Sequence, residues 1–406
     1  MNKTLSRRGF LGLLGVTTAA GALGWATGWL RGPSDGANAS PEPKTMVGIY
    51  PSWSRYERGY LPGDVPLDRI THLQYAYLTI TEDGSVDYAD RYGDTRNLTA
   101  FRERKRAHPD TKMLLSVGGF FASEYYSNAA LDGTRRARFA RTAVAFLREY
   151  DFDGLDLDWQ YPSGGNPNAF TREGDVSRFT LLLSEVRRQL DAAGGEDDKE
   201  YELSISASIN PQFTENLDVG EFADLVDRVN VMAYDYAGPW DELTGFTAPL
   251  YNPFPDSVPD NPFYVANAMT TWKRQPIDSS KLSLGFAAYG RAFSGVSAQN
   301  QGFDQPFEGT PPGTYPGEGE GAYDYWDIEA NFTPEEGYES HWHGDAAAPF
   351  RYSAVDGVFL TYDDERSVAE KARYVADEGF GGMTMWDFNG DRDRVLLDSA
   401  TSALAE

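Results

Sequence analysis

Phe152-Asp153-Gly154-Leu155-Asp156-Leu157-Asp158-Trp159-Gln160-Tyr161-Pro162 reads as a short strand with two unlike faces. Successive side chains of a strand point to opposite sides. Asp156, Asp158 and Gln160 therefore share one face and Leu155, Leu157 and Trp159 the other, with Asp153 just ahead of the run. Burying such a row costs several kcal/mol for each carboxylate that lacks a partner. Two readings compete: an edge strand with a solvated acidic face, or a catalytic row at the C-terminal end of a barrel strand, where enzymes of that architecture keep their chemistry.

The flanking sequence repeats one pattern. Apolar strand-like runs lie at 46–50, 70–80, 112–117, 202–209, 229–236, 281–289 and 381–388, with the acidic run fourth in order. Helical stretches fall between them. The clearest is 134–150, with Phe139, Ala143, Phe146 and Leu147 at helical spacing; 175–193 carries Phe179, Leu182, Leu183, Val186 and Leu190; 366–378 precedes the last strand. Eight strands alternating with helices predict an α/β fold, a TIM (β/α)8 barrel, with an open doubly wound sheet as the structural rival. After Arg291 the alternation breaks for longer than an ordinary loop allows. Pro311-Pro312-Gly313, Pro316-Gly317, the run 323–327 and the run 359–362 predict a small α+β insertion between strands 7 and 8. The expected domains are a barrel over 40–293 and 357–406 and an insertion over 294–356.

Composition bounds the function. The 406 residues carry a net charge of −26, so a nucleic-acid partner is not expected, because phosphate binding needs a basic surface. Only 8 of the 36 basic residues are Lys, and such an acidic, Lys-poor surface suits high salt. With no Cys there is no disulfide and no thiolate metal site. His341 and His343 are the one close His pair, weak evidence for a metal, and no metal or cofactor is expected. Ser6-Arg7-Arg8-Gly9-Phe10-Leu11 looks like a twin-arginine export signal, followed by a mild apolar run and a small-residue cleavage site at Ala37-Asn38-Ala39. The expectation is a signal over 1–39 and a secreted monomer. The alternative is an uncleaved segment that anchors the chain at the outer face of the cell membrane; without it no tight membrane partner is expected.

The acidic run resembles the signature of glycoside hydrolase family 18, the chitinases and their relatives, which is Asp-x-x-Asp-x-Asp-x-Glu. Asp153, Asp156 and Asp158 match, and Gln160 stands where the family has its catalytic Glu. The likeness runs in order over about residues 46–400. Ser116-Val117-Gly118-Gly119 is similar to the family's third strand, Met232-Ala233-Tyr234-Asp235 to its sixth, Leu284-Gly285-Phe286-Ala287-Ala288-Tyr289-Gly290-Arg291 to its seventh, and Gly381-Gly382-Met383-Thr384-Met385-Trp386 to its eighth. Tyr362-Asp363-Asp364-Glu365 before a helix also fits bacterial members.

The resemblance implies cleavage of β-1,4 links after N-acetylglucosamine by a substrate-assisted route, in which the sugar's own acetamido oxygen attacks the anomeric carbon. It implies that Asp158 binds the acetamide N–H with Asp156 behind it, and that the two carboxylates share a proton and titrate as a pair. Tyr234 is implied to hydrogen-bond the acetamide oxygen. The catalytic candidates are thus Asp156, Asp158, Gln160 and Tyr234. The substrate-binding candidates are Tyr50, Trp53, Tyr77, Gly118, Met232, Asp235, Trp240, Tyr289, Arg291 and Trp386, with Trp386 as a sugar floor, because sugar C–H faces stack on aromatic rings. Tyr50 and Trp53 read equally as a packed aromatic pair. An amide has no proton to give near neutral pH, so Gln160 cannot protonate the leaving oxygen. The resulting expectation is a chitinase-like lectin for chitin or chito-oligosaccharides, with hydrolysis impaired or lost. The alternatives are a chitinase acting through another acid, an introduced Glu-to-Gln change, or a different N-acetylglucosamine glycan as ligand.

Overall fold

The computed structural model describes residues 44–406 apart from Pro255, Glu318 and Glu320. The segment read as an export signal lies outside the described residues. Strands β1 (Thr45–Pro51), β2 (His72–Ile80), β4 (Lys112–Gly118), β5 (Gly154–Asp158), β6 (Glu202–Ala207), β7 (Arg228–Val231), β8 (Leu282–Ala287) and β14 (Gly382–Trp386) are parallel neighbours, and β1 pairs with both β14 and β2. The sheet closes on itself as an eight-stranded barrel. A short β3 (Val86–Tyr88) hangs antiparallel on β2.

The alternation of β5 decides what lies inside. Leu155 and Leu157 face outward and are fully buried beneath the helices Gly133–Tyr150 and Asp175–Asp197, with Phe139, Leu147, Phe179 and Leu183 at no exposure either, or nearly none. Each such side chain contributes about 1.5–3 kcal/mol of burial. The first of these helices starts at Gly133 because the Asp132 carboxylate accepts from the Arg135 amide at 2.9 Å, and it stops at Asp151, whose φ is 56°. The helix Arg91–Lys105 is too charged to show in the hydrophobic pattern; its start is fixed by Asp90, which accepts from the amides of Tyr92 and Gly93.

The insertion is an antiparallel sheet of five strands in the order β10 (Ala322–Asp324), β9 (Tyr289–Ser294), β13 (Val358–Thr361), β12 (Ala348–Ser353), β11 (Glu339–His343). It is wider than the expected 294–356, because β9 and β13 pair with each other, Arg291 opposite Thr361. Ala288 alone separates β8 from β9, and with no turn residue between the two strands the break is hidden within the apolar run 281–289. The lobe has its own core of Phe246, Phe293, Phe303, Phe350 and Phe359. Its histidines belong to that packing: the His341 ring stacks on Phe350 at 4.9 Å, and His343 Nδ1 accepts from the Ala346 amide at 3.2 Å.

Candidate active site

The barrel interior around β5 is polar. Asp156 is fully buried and accepts from Gln74 Nε2, Ser116 Oγ and Ser204 Oγ at 2.7 Å each, and from Ser206 Oγ and Asn230 Nδ2 at 3.2 Å. These partners sit at inward positions of β2, β4, β6 and β7, in register across the sheet: Ser116 pairs with Asp156, and Asp156 with Ser204. Thr384 Oγ1 extends the network by donating to Asn230 Oδ1. Of these partners Ser116 opens a motif quoted from sequence, whereas Ser204, Ser206 and Asn230 carry no motif. The signal was present as single polar residues at every second position of apolar strands, Ser204 and Ser206 most plainly.

Asp153 stands apart from the mouth. It lies at the start of β5 and is held by Lys105 Nζ at 2.6 Å, by Lys199 Nζ at 3.1 Å and by the Met113 amide at 2.8 Å. The first motif acid therefore anchors the strand.

Asp158 ends β5 at 1% exposure. Both of its oxygens face the Gln160 amide, with Nε2 at 3.0 and 3.1 Å, and the Tyr77 hydroxyl bonds to it as well. Burial first, and then the charge of Asp156, push its carboxyl up to about 7, while Tyr77 and Gln160 oppose the shift. Burial raises Asp156 too, against its three serine bonds. Five donors hold the charge on Asp156, so Asp158 is the member of the pair that titrates near neutrality.

The sign of the pH effect follows. Asp158 in the folded protein lies above its ordinary value of 3.8, so the unfolded chain ionises first as pH rises. The resulting cost to folding grows between about pH 4 and pH 7 and is constant above. Asp158→Asn is expected to raise the thermal midpoint at pH 8, with the gain shrinking toward pH 4. Calorimetric melts at the two pH values check this; a gain that is largest in acid contradicts it.

Gln160 lies past the end of the strand at 7% exposure, and its Nε2 also approaches Met232 Sδ at 3.6 Å. Its backbone is clamped on both sides: its amide donates to Ser123 Oγ at 3.0 Å, and its carbonyl accepts from Asn166 Nδ2 at 2.8 Å. Sequence reading missed both Ser123 and Asn166, which sit in loops with no motif.

The aromatic floor is assembled from three strand ends. The Trp386 ring lies 5.9 Å from Tyr77 and 6.3 Å from Trp53, and Trp53 lies 6.4 Å from Tyr77, all three half-buried. On the opposite wall Tyr234 packs edge-on against Tyr289 at 6.3 Å. Asp235, at φ 62°, is gripped bidentate by Arg291 at 3.0 and 2.9 Å. The Arg291 guanidinium lies 5.2 Å from the Tyr289 ring and 5.3 Å from that of Trp240, which is exposed. Tyr289 and Arg291 belong to β9, so the inserted lobe supplies part of this wall.

Two candidates fall outside the cleft. Tyr50 is fully buried on the outer face of β1, where its hydroxyl donates to the Tyr60 carbonyl at 2.9 Å and its ring packs on Tyr75 and Phe101. The inward residue beside it is Ile49, which pairs with Gln74. Tyr50 is thus the packed aromatic of the two readings, and a substrate cannot reach it. Gly118 is buried at φ 106°, and a Cβ there would come within 2.4 Å of the Asp158 carbonyl. Its role is to let β4 and β5 approach, not to touch a ligand.

The chain is similar to known proteins over most of its length. A family model described as glycosyl hydrolases family 18 matches residues 45–391. Chitinase A1 of Niallia circulans is 33% identical over 409 residues, covering 88% of this chain, which spans only 58% of that relative's length. Among solved structures, chitinase ChiA74 from Bacillus thuringiensis superposes with a TM-score of 0.84 at 28% identity, covering 90% of this chain and 70% of that one. Human YKL-39, described as a pseudo-chitinase with retained chitooligosaccharide binding, shares the fold at a TM-score of 0.79 and 22% identity, covering 89% of this chain and all of its own.

Proposed function

We propose, from the premise that this chain belongs to glycoside hydrolase family 18, that it binds chitin or β-1,4-linked N-acetylglucosamine oligosaccharides as a chitinase-like lectin and hydrolyses them poorly or not at all. One observation carries the reading. At the proton donor's place stands an amide whose nitrogen is engaged by both oxygens of Asp158. That amide has no acidic proton to pass to a leaving oxygen, and a positioned general acid is worth about 10²–10⁴-fold in rate.

The rest of the site supports sugar binding. Trp386, Trp53 and Tyr77 offer ring faces to a pyranose. By the family resemblance Asp158, buried against Tyr77, takes the acetamide N–H, and Tyr234 gives a hydrogen bond to the acetamide oxygen. Acting through another acid is disfavoured at Asp235, the carboxylate of the Met232–Asp235 motif, because both of its oxygens are taken up by the bidentate pair with Arg291. The twin-arginine motif supports export of the folded chain to meet such a polymer outside the cell.

The test is calorimetric titration of the full chain with chitotetraose, run beside a product assay over a long incubation. Binding without release of shorter sugars is the expected result; release at a chitinase-like rate overturns the reading. Trp386→Ala is expected to weaken binding by about 1–3 kcal/mol, the loss of a central aromatic anchor. Unchanged affinity in a folded variant removes Trp386 from the site.

A further inference from the structure

We propose that Arg228, fixed beneath Asp156 by Glu202 and His72, is a positioning residue of the sugar site: its buried charge keeps Asp156 ionised and thereby sets how far the pH can fall before Asp158 ceases to accept an acetamide N–H. This rests on the oligosaccharide-binding reading above.

The three residues form a second layer in the barrel lumen. His72 stands two residues before Gln74 on β2, Glu202 two before Ser204 on β6, and Arg228 two before Asn230 on β7. Gln74, Ser204 and Asn230 all donate to Asp156. Two residues along a strand is one step on the same face, about 6–7 Å. The charged layer therefore lies directly below the layer that holds Asp156, toward the N-terminal end of the barrel and away from the sugar cleft.

The layer is tied together by its own bonds. Arg228 Nη2 donates to Glu202 Oε2 at 3.2 Å, and Arg228 Nη1 lies 3.2 Å from His72 Nε2, which is itself 3.1 Å from Glu202 Oε2. Burial, and then the Arg228 charge, hold His72 below its ordinary range, so the imidazole stays neutral and adds no second cation. Burial raises the Glu202 carboxyl, but its bond to His72 and the Arg228 charge outweigh that and hold it down to about 2.

The cation is not cancelled at Asp156. Arg228 is 6% exposed, and its Nε has no partner among the described residues. The Glu202 side chain is 24% exposed against 8% for that of Arg228, so solvent screens the anion more than the cation. Burial raises the Asp156 carboxyl and Arg228 opposes it; burial lowers the Arg228 guanidinium and Asp156 opposes that. Of the other charges near this layer, Lys112 stands opposite His72 on β4, and Asp227 turns outward to Arg187 at 3.3 Å. Around the carboxylate pair, Tyr77, Tyr126, Tyr161 and Tyr234 are all raised by burial and stay neutral.

The test follows chitotetraose affinity on the full chain by titration calorimetry from about pH 5 to about pH 9. Wild-type affinity is expected to fall as the pH drops through the value at which Asp158 takes its proton. Arg228→Met removes a cation, so the pair holds its proton longer and the fall moves up by about one pH unit. Glu202→Gln exchanges an anion for an amide of nearly the same shape and moves the fall down, by a smaller step because Glu202 is the more exposed. Arg228→Lys keeps the charge and leaves the fall near its wild-type place. Opposite shifts are a signature that lost packing cannot produce. A wild-type affinity that is flat across this range overturns the proposal. So does a fall that stays put in Glu202→Gln, or one that moves the same way in both charge variants. If Arg228→Met does not fold, Glu202→Gln and Arg228→Lys decide the matter. Failure of the underlying reading shows elsewhere, as a wild type that binds no chitotetraose at any pH.

Discussion

Gln160→Glu is expected to raise hydrolysis of N-acetylglucosamine oligomers by about 10²–10⁴-fold over the wild type. The change is nearly isosteric, and the clamp on the backbone by Ser123 and Asn166 does not involve the side chain that is replaced. The amide nitrogen now sits 3.0 and 3.1 Å from the Asp158 oxygens, so a carboxyl in its place shares a proton with Asp158. Asp158 is already pushed up to about 7 by burial and by Asp156, which leaves it a poor place for a second negative charge. The Gln160→Glu variant is therefore expected to keep one proton on the pair near neutrality and to lose activity as pH rises through the upper of the two coupled values. Activated aryl glycosides need little protonation, and wild type and variant are expected to differ less on them than on natural oligomers. Turnover of both substrate types by both proteins, each with a pH profile, checks the argument. A variant that folds, binds and stays inert on both substrates shows that the site has diverged beyond one residue.

Why that residue could be found from sequence, and others could not, follows from the geometry of strands. In β5 the spacing of two puts Asp156 and Asp158 on one face whatever surrounds them, and the apolar residues between mark the other face as packed. The register across the barrel is not written in any one strand. Ser204 comes to Asp156 only because β6 pairs with β5 at that step, so the five-donor cradle was visible as scattered polar residues without an address. Tyr50 was ambiguous for a related reason. A barrel strand is buried on both sides, and composition does not say which side is the lumen; that depends on Ile49 pairing with Gln74. Asp153 matched the motif but lies where the strand enters the barrel, with two of the chain's scarce lysines on it. The lobe boundary was blurred because Ala288 joins two strands with no turn residue between them.

Lys371→Met is expected to cost about 3–5 kcal/mol of stability, the penalty for leaving a buried charge without its partner. Lys371 has no exposed surface, and its Nζ lies 2.5 Å from both oxygens of Asp363, itself 2% exposed. The remaining bond to that carboxylate is the Ser367 hydroxyl at 2.6 Å, which cannot neutralise it. Burial holds the Lys371 ammonium below its usual range, so the pair survives on mutual attraction and not on solvation. Its position explains why it matters. Asp363 follows β13, where the chain returns from the lobe, and Lys371 sits on the helix Glu365–Asp377 that leads into β14 and Trp386. The ion pair thus pins the one connection that runs from the inserted lobe to the aromatic floor. Replacing both members together, Asp363→Leu with Lys371→Met, removes the stranded charge and is expected to recover most of the loss, because apolar substitutes of similar volume often match a buried pair. Urea unfolding of the wild type, the single variant and the double variant measures this. A single variant within about 1 kcal/mol of wild type would mean that water reaches Asp363, and the account of the return connection fails with it.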